Sequence, residues 1–540
     1  MRLLIAASAI ALLASGPVTA QSAKPSDDKG KSLDALHSEA MIEQAKSGYA
    51  DAPVEERTVQ TRHSAAVSGR VIPYTATAGT LTIRDTAGKP KASIFYTAYT
   101  ADGAPTGRRP VMFFYNGGPG SASLWLRMGS FGPMRLQTGN PEAIRPAPFN
   151  FGPNPDTLLG STDMVFIDAP GTGYSRPLGD AKGSDFYGVD QDADAFARAI
   201  IRYVTKFGRW DSPKFLFGES YGTTRSGALA YQLQDRGVAL NGVVLLSSIM
   251  NYGRRQPGLD RDYLNYLPSY AATAWYHHKM QNPPATVQQA AAEGRAFAQG
   301  PYAAALEKGQ TISPQERDAV AQQMSALTGL SPDFIERSNL RVDLSRFRKE
   351  LLRNERETVG RYDSRYTGVD PDAAGESPEY DASDTAIDGA FIGTLNTYLA
   401  RDLNYQTNMA YRASASDEEG FKWDWNHKAP GTRYPLQQPD TALDLAAAMR
   451  INPYLKVLSL NGWYDMATPF FGTEYDLNHM MLEPAQARNL EFRYYPSGHM
   501  VYLNPDALHA MRLDVERFIN EAVGEAQAGT PVAPAPRRQH

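Results

Sequence analysis

The sequence predicts an α/β protein in which a mainly parallel central sheet is flanked by helices and interrupted by a mostly helical cap insertion. Three observations carry that expectation. Short apolar runs of strand-forming type, at Val111–Tyr115, Asp163–Asp168, Phe215–Phe217 and Gly242–Leu246, alternate with helical periodicity. One of them ends in Gly218-Glu219-Ser220-Tyr221-Gly222, which reads as strand, abrupt turn and helix with a serine at the apex. Between about Asn251 and Asp444 the strand signal fades and helical stretches dominate.

In chain order, Met1-Arg2, the apolar run Leu3–Leu13 and the small residues ending at Ala20 read as a secretory signal peptide over 1–20. The run is shorter than the roughly 20 apolar residues a spanning helix needs, so no membrane association is expected once it is removed. Segment 21–57 is polar and reads as a loosely ordered lead-in. The α/β core is expected over 58–250 and 445–523, the cap over 251–444, and a disordered Pro/Ala-rich tail over 524–540. Within the first core segment, Leu81–Asp85 and Ala92–Tyr99 form a hairpin turning at Gly88. Val189, Ala193, Phe196, Ile200, Tyr203 and Phe207 make one face of an amphipathic helix. In the cap, Ser313-Pro-Gln-Glu316 is a capping box with proline at the first helical position. Charged residues from Arg337 to Glu357 suggest a solvated helix there.

Composition narrows the chemistry. The 540 residues, 42% hydrophobic, suffice for a large core, and a net charge of −5 gives no reason to expect a nucleic-acid partner. There is no cysteine, which excludes thiol catalysis and cysteine-ligated metals. Export without disulfides fits a bacterial periplasm, so the expected location is periplasmic or secreted. No H-E-x-x-H occurs, and neither a metal nor a cofactor is expected.

The glycines of G-x-S-x-G leave room for a strained serine turn, and the pattern occurs once. Later strands end in Asn461–Asp465 and in Pro496-Ser-Gly-His499, so a carboxylate and an imidazole follow the serine in the order Ser, Asp, His of α/β-hydrolases. Upstream, Asn116-Gly-Gly-Pro-Gly120 exposes backbone N–H groups suited either to a developing oxyanion or to a tight turn. Asp168 precedes the serine and is expected to be structural. Trp423, Trp425 and Trp463 could line a cleft or pack the core.

Taken together, Asn116–Gly120, Asp168-Ala-Pro-Gly-Thr-Gly-Tyr-Ser175, Gly218–Gly222, Asn461–Pro469 with Asp465, and Gly498-His-Met-Val501 resemble the serine carboxypeptidase family in its bacterial form. The resemblance spans about 300 residues on both sides of the insertion. It implies an α/β-hydrolase fold with Ser220, Asp465 and His499 as catalytic residues, and an oxyanion hole from the N–H groups of Gly118 and Tyr221. It also implies a substrate carboxylate held by Asn116, Gly117 and Glu219, with the substrate a peptide bearing a free C-terminus. The chain departs from the family at Ser130, where a second glutamate is expected, and at Ser121, where a cysteine is. Arg127 or Arg135 could supply charge instead, or lie on the solvated surface. An esterase or acyltransferase on the same residues, or a catalytically silent peptide-binding protein, are the alternatives to a carboxypeptidase.

Overall fold

The computed structural model describes residues 52–105, 107–416 and 420–528. The segment expected to be a signal peptide, most of the expected lead-in and the end of the expected tail lie outside these residues. Strands of the main sheet are β1 (Thr58–Val67), β2 (Arg70–Arg84), β3 (Pro90–Ala101), β4 (Val111–Tyr115), β5 (Asp163–Ile167), β6 (Lys214–Glu219), β7 (Gly242–Leu246), β8 (Lys456–Gly462) and β9 (Leu490–Tyr495). Their spatial order is β1-β2-β3-β5-β4-β6-β7-β8-β9, with the short strand Arg176–Pro177 added beside β3. From β5 to β9 every pairing is parallel, whereas β1 to β3 form an antiparallel extension joined to β5.

The pattern of side chains explains the arrangement. Strands β4, β5 and β7 are buried throughout, as strands covered on both faces must be. One face packs under helices α1 (Leu124–Gly129) and α6 (Pro505–Ala528); the other packs under α2 (Val189–Lys206), α3 (Tyr221–Asp235) and α5 (Ala442–Ile451). The β2–β3 hairpin turns at Gly88, whose φ is +81°, with Asp85 Oδ1 accepting from the N–H groups of Ala87 and Lys89.

The cap has its own core, built on α4 (Arg261–Tyr276), with Tyr270 stacked on Phe347 at 3.8 Å between ring centres. Trp463, Phe470 and Phe471, which flank Asp465 in sequence, belong to this same cluster. The cap is therefore welded to the loop after β8. Ser313 caps its helix through the expected reciprocal pair with Glu316.

Several expectations need correction. The insertion is not helical to its end: residues 404–416 and 420–441 carry neither helix nor strand beyond single bridges, and in the second stretch Pro430, Pro435 and Pro439 interrupt any regular ladder. That segment is held by side chains and bridges instead. His427 Nδ1 lies 2.6 Å from Asp190 and its Nε2 lies 2.7 Å from Asp444, and the two carboxylates overcome burial to raise the imidazole to about 9. Arg337–Glu357 is not one solvated helix. Past Arg337, which ends the preceding helix, only Leu344–Glu350 is α-helical there, and Lys349 makes a buried ion pair with Asp370 that the charge pattern alone cannot distinguish from a surface lysine. The terminal helix runs through Gly524 to Ala528, so the expected tail begins too early; one glycine costs about 1 kcal/mol, which good helix formers on either side outweigh. At the other end, Glu56 of the lead-in is forked to Arg202 and accepts from the Thr82 N–H, so the end of the lead-in is tied to α2 and β2. Among the described residues no helix is long and apolar enough to cross a membrane.

Candidate active site

Ser220 follows β6 and begins α3 with φ +60° and ψ −130°, a left-handed backbone that a non-glycine residue holds only when its surroundings enforce it. Its neighbours do so. A Cβ on Gly218 would come 2.3 Å from the Gly222 carbonyl oxygen, and one on Gly222 would come 2.9 Å from that of Tyr115. Strand, turn and helix can approach this closely only with glycine at both places.

Asp465 and His499 come from the loops after β8 and β9. His499 Nδ1 is 2.9 Å from Asp465 Oδ2, and both side chains are buried. Asp465 Oδ1 accepts from the N–H groups of Ala467 at 2.8 Å and Thr468 at 2.9 Å, which fixes the carboxylate plane. Thr468 Oγ1 lies 2.8 Å from both Asp465 Oδ2 and the Ser247 carbonyl.

Ser247, just past β7, gathers the three loops. The Ser220 N–H donates to Leu246 O, the Ser247 N–H to Leu460 O, and Ser247 Oγ to the carbonyl of His499 at 2.5 Å. One strand end thus touches the serine turn, the strand that leads to the aspartate, and the histidine itself. Among the described residues Ser220 Oγ and His499 Nε2 make no hydrogen bond. Catalytic bonds of this kind commonly tighten only around substrate.

The histidine loop is also gripped from the cap. The His499 N–H donates to Tyr362 O at 2.6 Å and the Gly498 N–H to Asp363 Oδ2 at 3.1 Å; the Tyr362 ring tilts over the imidazole at 5.2 Å. Arg365 forks onto Asp363 and reaches Pro496 O at 2.9 Å. Removing Asp363 strands a buried guanidinium, so Asp363→Ala is expected to cost about 3–5 kcal/mol of stability, read as a fall in Tm.

Asn116–Gly120 leaves β4 directly against the serine turn. A Cβ on Gly117 would come 2.4 Å from the Tyr221 nitrogen, and Gly118 has φ +101°. Neither the Gly118 nor the Tyr221 N–H donates to an acceptor among the described residues, which leaves both able to hold an oxyanion. Asn116 Oδ1 accepts from the Leu126 N–H, so its Nδ2 faces Glu219 Oε2 at 2.7 Å. Glu219 is fully buried, which pushes its carboxyl up to about 7 although His499, Tyr502 and Asn116 pull it down. The folded chain keeps that proton after the unfolded chain, with its ordinary value of 4.5, has lost it. Glu219 therefore favours the fold below pH 4.5, and that contribution is lost as pH rises to about 7. In Glu219→Gln this part of the fall in Tm between pH 5 and 7 is expected to vanish.

Arg127 and Arg135 are both buried, not solvated. Arg127 pairs with Asp168 at 3.0 Å, and Asp168 also accepts from the Ser123 N–H and Tyr411 hydroxyl; it is structural, as expected. Arg135 Nη2 bonds Thr138 Oγ1 and Tyr502 O. Ser130 turns its hydroxyl to Leu126 O. Trp423 and Trp425 stand beside Tyr221 at 5.2 and 6.2 Å, whereas Trp463 is packed in the cap core against Tyr494. Thr468, Ser247, Tyr362, Asp363 and Tyr502 escaped the sequence reading. Thr468 and Tyr502 each lie three residues past Asp465 and His499, a usable signal; Tyr362 and Asp363 offered none.

A family model described as serine carboxypeptidase matches residues 70–295, which include the Asn116–Gly120 loop and the Ser220 turn and end before Asp465 and His499. Among solved structures, the prohormone-processing carboxypeptidase Kex1(delta)p from Saccharomyces cerevisiae is 16% identical, with 83% of this chain and 92% of that chain covered and a TM-score of 0.51. A proline iminopeptidase from Mycobacterium smegmatis is 15% identical over 83% of this chain and 99% of that one, with a TM-score of 0.34. The first of these likenesses gives the α/β-hydrolase fold, and the family match falls on the segment that builds the serine turn and the glycine loop facing it. Over residues 70–295 the chain is similar to the serine carboxypeptidase family.

Proposed function

We propose that this protein hydrolyses C-terminal peptide bonds through an acyl-enzyme formed on Ser220. The observation that carries the reading is the Asp465–His499 pair, joined through Leu246 and Ser247 at the end of β7 to the strained Ser220 turn. In this reading Ser220 Oγ attacks the scissile carbonyl while His499 Nε2 takes the hydroxyl proton; Asp465 holds the imidazole with Nδ1–H toward itself. The oxyanion accepts from Gly118 and Tyr221 N–H. His499 then gives the proton to the departing amine, the C-terminal amino acid leaves, and water resolves the ester by the same path in reverse.

Asn116 and Glu219, hydrogen-bonded to each other, and Gly117, packed against the Tyr221 nitrogen, would receive the terminal carboxylate. Its chemistry favours an exopeptidase over an esterase. The test is to incubate the protein with an N-blocked dipeptide, its C-terminal amide and a simple ester between pH 4 and 8. Release of free amino acid from the acid in preference to the amide supports the reading. Ester cleavage without peptide cleavage would favour an esterase, and turnover of none a binding protein.

A further inference from the structure

Tyr502 lies three residues past His499, in the 3-10 turn Val501–Leu503, and is fully buried. Its hydroxyl donates to Glu219, 2.9 Å from Oε2 and 3.2 Å from Oε1. The ring covers Gly129, where a Cβ would come 2.7 Å from ring carbon Cδ2. Next to it, Ser130 spends its hydroxyl on Leu126 O at 2.6 Å. Glu219 therefore meets a phenol whose ring packs against the backbone beside Ser130.

We infer that Tyr502 is a positioning residue for C-terminal recognition: it holds Glu219 beside Asn116 so that a single proton, on Glu219 alone, decides whether a free substrate carboxylate can bind. The inference rests on the exopeptidase reading above. Its chemistry is simple. A phenol buried beside a carboxylate titrates well above its ordinary range, so at working pH it only donates. Ionised Glu219 accepts from Tyr502 and Asn116 and repels an incoming carboxylate; neutral Glu219 can instead give that carboxylate its proton in a hydrogen bond.

The groups facing Glu219 are Asn116 from the loop after β4, Tyr502, and His499 and Asp465 from the loops after β9 and β8. No lysine or arginine hydrogen-bonds to it among the described residues. The phenol is thus one of two donors that favour the ionised form, and removing it should let the neutral form persist to higher pH.

The test uses Ser220→Ala protein, so that binding is read without turnover. Calorimetry between pH 5 and 9 compares an N-blocked dipeptide acid with its amide. The acid is expected to lose affinity about tenfold per pH unit above a break near 7, as one proton requires, while the amide stays flat. Adding Tyr502→Phe should move the break up by about one to two pH units, the worth of one hydrogen bond to a charged group. Adding Glu219→Gln should abolish it. In protein retaining Ser220, Tyr502→Phe should shift the pH dependence of KM for the acid and leave kcat on an ester without a free carboxylate unchanged. A break unmoved by Tyr502→Phe overturns the inference, as does equal loss of acid and ester turnover. Failure of the Ser220 enzyme to cleave any peptide overturns the exopeptidase reading separately, because the binding arm does not need Ser220.

Discussion

Ser220→Ala is expected to lower kcat/KM on an N-blocked dipeptide by about 10^5- to 10^6-fold, the scale at which removal of a serine nucleophile disables such enzymes. The fold should not notice. Ser220 Oγ makes no hydrogen bond among the described residues, so its loss orphans no partner, and the alanine inherits the same +60° φ with the same Cβ. Urea denaturation should therefore give an unchanged midpoint, within about 0.5 kcal/mol. A large loss of activity with unchanged stability isolates chemistry from folding; a loss of less than tenfold would mean that another group attacks the carbonyl.

Asp465→Asn is expected to reduce kcat by about 10^4-fold, with KM little altered. The local bonds dictate why. The Ala467 and Thr468 N–H groups claim one oxygen of residue 465, so an asparagine must place its carbonyl there and turn its NH2 toward His499 Nδ1. Two donors cannot face each other. The imidazole responds by moving its proton to Nε2, the nitrogen that should receive the serine proton, and general-base catalysis stops. Steady-state kinetics together with the 15N shifts of His499 would report both the rate and the tautomer; an unchanged tautomer would sink this account.

Much of this site was legible before any coordinates. Three apolar segments ending in Ser220, Asp465 and His499 sit on parallel strands β6, β8 and β9, and polar residues at the carboxyl ends of such strands converge because the strands are buried and aligned. The glycine spacing around Ser220 also carried its geometry plainly. What stayed hidden are contacts with no local period. Tyr502 and Glu219 are 283 residues apart in sequence, and nothing near either announces the other. Residues 404–416 and 420–441 were equally opaque: their order comes from bridges such as Arg412 to Gly173 and Ser414 to Ser121, not from any repeating pattern of their own. Lys349 and Arg127 misled for a related reason, since a charge with a buried partner reads in sequence like a charge in water.

The grip of residues 362–365 on the histidine loop has a consequence for engineering. Because Tyr362 and Asp363 carry the main-chain bonds that seat Gly498 and His499, the roof over this enzyme is not an accessory that can be exchanged at its two ends. A chimera carrying a foreign lid on this scaffold would inherit the nucleophile intact and a base without its brace, so any transplant must bring along, or rebuild, a short peptide that performs the same clasp.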